Sequence, residues 1–113
     1  LGTPNVSQLM ARDFIDVKVD IDRMTHGKEV AKRLRGTDRG GIPWMVILDA
    51  QGKALINADG PEGNIGCPVQ PQERSHFMKM VETTRDKLTN GDLRSLAAEL
   101  QKFADKIMAA RRR

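Results

Sequence analysis

The chain has 113 residues, of which 39% are hydrophobic and 30% charged, a composition typical of one small globular domain. The formal net charge is +4, and Arg111, Arg112 and Arg113 supply three of these units, so the rest of the chain gives little reason to expect a nucleic-acid partner. No apolar run approaches the roughly 20 residues of a membrane span, so we also expect no membrane partner.

The first half of the chain predicts helix, strand and helix. Residues 4–11 fit a short helix, and residues 24–35 fit a second helix that stops at Gly36. Between them, residues 14–20 alternate between apolar and charged side chains, which predicts a strand with two different faces. The apolar face carries Ile15, Val17 and Val19, and the charged face carries Asp16, Lys18 and Asp20.

A hairpin is predicted after a polar loop at residues 37–41. Residues 44–49 form the most buried strand candidate, and residues 54–58 return as its antiparallel partner. The connection at residues 49–53 has the chemistry of a tight turn, with a glycine at a positive-φ position. Residues 59–71, which are rich in glycine and proline, are expected to be a structured loop.

Two helices complete the predicted order of helix, strand, helix, strand, strand, helix, helix. The first begins at Pro71, a favoured residue for a first helical turn, and its apolar face carries Phe77, Met80, Val81, Thr84 and Leu88. Thr89 and Asp92 resemble a capping arrangement before a last helix at residues 92–110. The apolar stripe of that helix either docks on its own domain or binds a partner.

Pro43 stands at the mouth of the predicted 44–49 strand, in the run Gly40-Gly41-Ile42-Pro43-Trp44. X-Pro bonds are the only peptide bonds for which the cis form is cheap, and the preceding glycines allow a close approach by another molecule. Two interpretations follow: a proline that simply opens a strand, or a loop that faces a substrate.

Four segments in order resemble the C-terminal two-thirds of a thioredoxin-like domain, over residues 4–88. They are Val17-Lys18-Val19-Asp20-Ile21-Asp22, Glu29-Val30-Ala31-Lys32-Arg33-Leu34, Gly41-Ile42-Pro43 and the apolar hairpin. The stretch Gly63-Asn64-Ile65-Gly66-Cys67-Pro68 is also similar to bacterial members of the family. The resemblance implies an α/β, N-terminally truncated thioredoxin-like domain over residues 1–113, with residues 89–113 as an additional amphipathic helix and basic tail.

The same resemblance implies a missing strand between the 14–20 and 44–49 strands. Those two strands then pair directly, leave an open sheet edge, or borrow a strand from a partner and so form an oligomer. The family's Cys-x-x-Cys needs two thiols, whereas Cys67 is the only cysteine here, which also excludes an intramolecular disulfide. We therefore expect the dithiol upstream of Leu1 and no catalytic residue within these residues.

The resemblance implies a parent thiol–disulfide oxidoreductase that acts on protein or peptide thiols and disulfides. The alternative is a non-catalytic interaction module that uses the proline loop and the last helix. The compartment is left open by these residues, and a periplasmic or secreted location follows only if the parent carries a signal peptide.

Ile42, Pro43 and Trp44 match the substrate-binding loop of the family, in which the residue before the cis-proline offers its backbone to a peptide. Trp44 also fits an ordinary core aromatic residue. Cys67 is either an inert or redox-sensitive loop thiol, or a site of single-thiol chemistry such as glutathione exchange. The spacing of His26 and His76 and the cluster of Asp16, Asp20 and Asp22 do not indicate a metal site, and no cofactor is expected.

Overall fold

The computed structural model describes residues 4–37 and 39–111 and has a mixed α/β fold. The predicted features at residues 1–3, at Asp38 and at the last two arginines lie outside the described residues. The helices are α1 (Pro4–Met10), α2 (Gly27–Arg35), α3 (Pro71–Thr84) and α4 (Asn90–Arg111). The strands are β1 (Val46–Leu48), β2 (Ala54–Asn57), β3 (Asp59–Gly60) and β4 (Gly63–Asn64).

Strands β1 and β2 form the predicted antiparallel hairpin, with Ile47 opposite Ile56. The Asp49 carboxylate accepts the N–H groups of Gln51 and Lys53 at 2.9 and 2.8 Å, which ties the turn together. Gly52 has a φ of 85°, a left-handed conformation that favours glycine. The predicted tight turn is therefore confirmed.

The prediction that residues 44–49 form the most buried strand is wrong. Strand β1 covers three residues, and its side chains are only half-buried or exposed because this sheet has two strands. The prediction that residues 59–71 contain no regular element is also wrong, since β3 and β4 form a second antiparallel hairpin there. Ala58 links the two hairpins, because its N–H donates to Met45 and its carbonyl accepts the N–H of Ile65, both at 2.9 Å.

The strand predicted at residues 14–20 is absent. No residue of this segment belongs to a β-ladder, and Ile15 and Val17 are 93% and 75% exposed. A strand needs a neighbour that accepts and donates its backbone hydrogen bonds, and neither β-hairpin pairs with this segment. The described part of the chain therefore leaves it as an unpaired connection between α1 and α2.

The helix boundaries follow from local interactions. Helix α2 begins at Gly27 rather than at the predicted Met24, and its end at Gly36 is confirmed by a left-handed glycine whose N–H donates to the Lys32 carbonyl at 2.8 Å. Helix α3 ends at Thr84, so Leu88 lies in the following connection and not in the helix as predicted. The capping arrangement at the start of α4 is confirmed.

The capping arrangement consists of two reciprocal hydrogen bonds. The Thr89 N–H donates to Asp92 Oδ2 at 3.0 Å, and the Asp92 N–H donates to Thr89 Oγ1 at 3.1 Å. These bonds satisfy backbone donors that the first turn of a helix leaves unpaired.

The core lies between α1, α3, α4 and the hairpins, and α4 packs against both α1 and α3. Its buried cluster consists of Val6, Ala58, Ile65, Phe77, Met80, Val81, Leu88, Leu96 and Leu100. Because Leu96 and Leu100 belong to this cluster, the apolar stripe of α4 docks on its own domain. None of the helices in the described ranges combines the length and the hydropathy that a membrane span requires.

Candidate functional site

The proline loop, residues 40–43, is exposed and precedes β1. The peptide bond between Ile42 and Pro43 is cis, as the resemblance implies. Ile42 is 71% exposed, which is unusual for a large apolar side chain. Within the described residues, neither its N–H nor its carbonyl takes part in a hydrogen bond. Ile42 thus presents an apolar side chain and a free donor and acceptor together.

Asn64 fixes the loop on both sides of Ile42. Its Nδ2 donates to the carbonyl of Gly41 at 2.9 Å and to that of Pro43 at 3.0 Å. Arg35 Nη1 donates to the same Gly41 carbonyl at 3.0 Å. Because the neighbouring carbonyls are paired in this way, the backbone of Ile42 is held in place, while its own N–H and carbonyl make no hydrogen bond within the described residues.

Trp44 packs on the core side of the proline loop and does not line the groove between that loop and α4. Its indole Nε1 donates to Asp59 Oδ1 at 3.1 Å, and its ring packs against the core cluster. The guanidinium carbon of Arg35 lies 4.9 Å from the centre of the ring, which is within cation–π range. This position agrees with the core interpretation of Trp44 and makes the residue a neighbour of the loop.

A groove of about 560 Å³ runs between the proline loop and the C-terminal end of α4. Ile42 and Pro43 lie on one side, Phe103, Ile107 and Arg111 of α4 lie on the other, and Cys67 also lines it. The groove therefore brings together two of the three predicted substrate-binding residues and the only cysteine. Apolar side chains lie on both sides of the groove, polar groups of Asn64 and Gln70 lie beside them, and Arg111 contributes a positive charge.

Cys67 is exposed, and it follows Gly66, which adopts a left-handed φ of 56°. Glu73 also lines the groove, but its Oε1 accepts the N–H groups of Val69 and Gln70 at 3.3 and 2.8 Å. That carboxylate therefore caps the start of α3. His76 lies in a different cavity, with Gly60 and Lys79, and its Nε2 is 2.8 Å from the carbonyl of Asn57. Cys67 and His76 therefore line different cavities, and no hydrogen bond joins them within the described residues.

The acidic residues near the start of α2 form a turn. Asp20 Oδ1 accepts the N–H groups of Asp22 and Arg23 at 2.9 and 3.0 Å, so the carboxylate is used by the backbone. Across residues 4–37 and 39–111, no three histidine, cysteine or acidic side chains lie close enough together to hold a metal ion. The candidate site offers the backbone of Ile42, apolar side chains, the Cys67 thiol and the Arg111 guanidinium.

Sequence reasoning missed the residues that hold the loop and close the groove. In the sequence, Asn64 belongs to a stretch that is similar to members of the family, and Phe103 and Ile107 belong to the apolar stripe of α4, so neither pattern indicates a contact with the proline loop. Asn64 lies 21 residues from Pro43, so no local signal indicates their hydrogen bond. In comparisons with known proteins, no family model, no curated protein and no solved structure matches this chain.

Proposed function

We propose that this chain contains the substrate-binding part of a thioredoxin-like thiol–disulfide oxidoreductase and that the proline loop binds an extended polypeptide. The observation that carries the proposal is the exposed Ile42 with an unpaired N–H and carbonyl before a cis-proline, beside Cys67 in one groove. The order of the sequence motifs supports the same assignment.

The peptide would add to the loop as a short antiparallel strand. Its carbonyl would accept the Ile42 N–H, and its N–H would donate to the Ile42 carbonyl, which is the pattern of β-augmentation. Alternate side chains of the peptide would enter the groove against Pro43, Phe103 and Ile107. Backbone contacts of this kind accept many sequences, so this site suits a range of protein substrates.

The redox step would belong to the parent protein. In dithiol exchange, one thiolate attacks a substrate disulfide and a second thiol resolves the mixed disulfide. The 113 residues contain one cysteine, so they supply binding and not the dithiol reaction.

Nuclear magnetic resonance with a matched pair of probes tests the peptide-binding proposal. The probe is a short peptide of alternating valine and threonine with a lysine at each end, and its partner has an ester in place of the amide opposite Ile42. We expect the first peptide to shift the Ile42 amide resonance and to bind about 2–10-fold more tightly than the ester, because one backbone hydrogen bond is lost.

Two further results decide the outcome. A Cys67→Ser variant should bind the amide peptide equally well, since backbone pairing needs no thiol. Unchanged Ile42 resonances, or equal affinity for a full series of peptides with the ester at each position, would contradict the proposed binding mode.

The second candidate function is a non-catalytic interaction module. It is favoured by the single cysteine and by the contribution of α4 to the groove, through Phe103, Ile107 and Arg111.

Insulin-disulfide reduction separates the two functions. The 113-residue chain should show no turnover, whereas the full parent should show turnover that is lost when its upstream cysteines are replaced by serine. Turnover by this chain that survives Cys67→Ser would refute the binding-only function, and an inactive parent would refute the redox assignment.

A further inference from the structure

Residues 15–19, Ile-Asp-Val-Lys-Val, form an exposed segment that we call the edge segment. Lys18 Nζ lies 3.9 Å from Asp16 Oδ2, so these two charged side chains share one side, as residues i and i+2 do in an extended chain. Ile15 and Val17 are 93% and 75% exposed. The edge segment therefore has a charged side and an apolar side, both open to solvent.

The backbone of the edge segment is also open. No hydrogen bond in the described part of the chain involves the N–H or carbonyl groups of residues 15–19. Turns at residues 11–13 and 21–23 bound the segment on both sides. A short run of unpaired backbone with β-branched side chains is a template for pairing with another strand.

We propose that the edge segment of the 113-residue chain pairs with the edge segment of a second copy, antiparallel and centred on Val17, and that an upstream strand of a parent protein would compete for this pairing. In this register Val17 faces the partner's Val17, and Ile15 faces the partner's Val19. Asp16 then lies opposite the partner's Lys18, and Lys18 opposite the partner's Asp16. The segment reads apolar, acidic, apolar, basic, apolar. An antiparallel copy centred on Val17 therefore places each acidic residue opposite a basic one.

Most other registers lose this charge complementarity, and the antiparallel pair centred on Val19, which keeps Lys18 opposite Asp20, would have to extend into the turn at residues 21–23 to pair as many residues. A parallel pair in register places each Asp16 beside the other and each Lys18 beside the other, and like charges in facing positions are destabilising. An antiparallel pair centred on Lys18 places the two lysines together and Asp16 opposite Asp20. A shift by one residue puts apolar side chains opposite charged ones. The Val17-centred register is therefore the favoured one.

The proposed contact is two-fold symmetric, so it closes in a dimer and does not extend into a fibre. It is also short, and a two-stranded pair alone is only marginally stable. We therefore expect a reversible dimer whose population rises with protein concentration. The proline loop and its groove take no part in this contact, so its failure would leave the proposed peptide binding untouched.

Charge exchange tests the register in solution. By sedimentation equilibrium between about 10 µM and about 1 mM, the chain should pass from the monomer mass of 12.6 kDa toward twice that mass. D16K and K18D should each weaken the dimer roughly tenfold or more, because each creates two like-charged pairs. The double variant D16K/K18D should restore it, and an equimolar mixture of the two single variants should form a heterodimer.

The same experiment has a matched control and clear contrary outcomes. Exchanging the α4 ion pair of Glu99 and Lys102, whose charged atoms lie 3.4 Å apart, should leave the dimer unchanged. Asp16, Lys18 and Lys102 are exposed and Glu99 is partly buried, and circular dichroism would confirm that the variants fold. A wild-type chain that stays monomeric throughout this range would overturn the proposal, as would single variants that dimerise like wild type.

Cysteine pairing tests the centre of the contact. In a Cys67→Ser background, Val17→Cys places two thiols opposite each other, with Cα atoms about 4.5–5.5 Å apart, within the range of about 4.4–6.8 Å for a disulfide. With oxidised glutathione as the oxidant, this variant should form a crosslinked dimer much faster than Val19→Cys, which faces the partner's Ile15. Equal rates for the two variants would exclude the Val17-centred register.

Discussion

Asp13 joins the end of α1 to the connection between α3 and α4. Its carboxylate accepts three consecutive N–H groups, those of Asp86, Lys87 and Leu88, at 3.0, 2.6 and 2.9 Å. Partial desolvation raises the pKa of Asp13, but the N–H groups of Leu88, Lys87 and Asp86 and the charge of Lys87 together hold the pKa below its ordinary value near 3.8. The ionised carboxylate is thus a specific part of the folded state.

Asp13→Asn should lower the free energy of unfolding by about 1–3 kcal/mol near neutral pH, because the amide cannot accept all three hydrogen bonds. A lowered folded-state pKa means that the contribution is complete above the unfolded-state pKa and is lost as the pH falls through the folded value. Urea denaturation should therefore show a constant difference from wild type above about pH 5, and a smaller one as the pH falls below 3.8.

Asp22→Asn is the matched control for this measurement. Asp22 is exposed, and its backbone N–H rather than its carboxylate makes the hydrogen bond in that turn. The substitution should therefore change the free energy of unfolding by less than about 0.5 kcal/mol. If Asp13→Asn behaved like this control, the three hydrogen bonds to Asp13 would contribute little to stability.

At the scale of elements, prediction succeeded where the deciding contacts are local. Gly36, the turn at Asp49 and Gly52, and the pair of Thr89 and Asp92 each act within three or four residues, so sequence alone indicates where the neighbouring helix or strand ends or begins. These features were predicted correctly for that reason. The cis bond at Pro43, by contrast, is expected only through the resemblance.

Prediction failed where an element depends on a distant partner. Residues 14–20 have the alternation of a strand, but alternation describes only the two faces and does not supply the neighbouring backbone. The same limit applies to the candidate site, since Asn64 reaches the proline loop from 23 residues beyond Gly41. The groove between that loop and α4 is likewise a product of packing, which local sequence patterns do not encode.

For the molecule as a whole, the burial of α4 decides whether that helix is part of the folded domain. The resemblance treats residues 89–113 as an addition to a thioredoxin-like unit, yet Leu96 and Leu100 are among the most deeply buried side chains. They share one cluster with Val6 of α1 and Met80 of α3. A helix that supplies the centre of the core is part of the folding unit, whatever its origin.

Substitutions along α4 test this integration. Leu100→Ala should lower the free energy of unfolding by about 2–5 kcal/mol, since it removes buried methyl groups and leaves a cavity. Domains of this size are stable by only about 5–15 kcal/mol, so the urea midpoint should fall clearly. Met108→Ala is the control on the same helix, because Met108 is 36% exposed and its loss should cost under about 1 kcal/mol.

The pattern of the two variants distinguishes an integral helix from an attached one. If α4 is integral, Leu100→Ala destabilises the whole chain, and signals from Trp44 and from the helices should change together in one cooperative transition. If α4 were an appendage, the variant would loosen that helix alone, and the fluorescence of Trp44, the only tryptophan, would report an unchanged midpoint. Because α4 also closes the groove beside Ile42, only the integral arrangement keeps the candidate site intact.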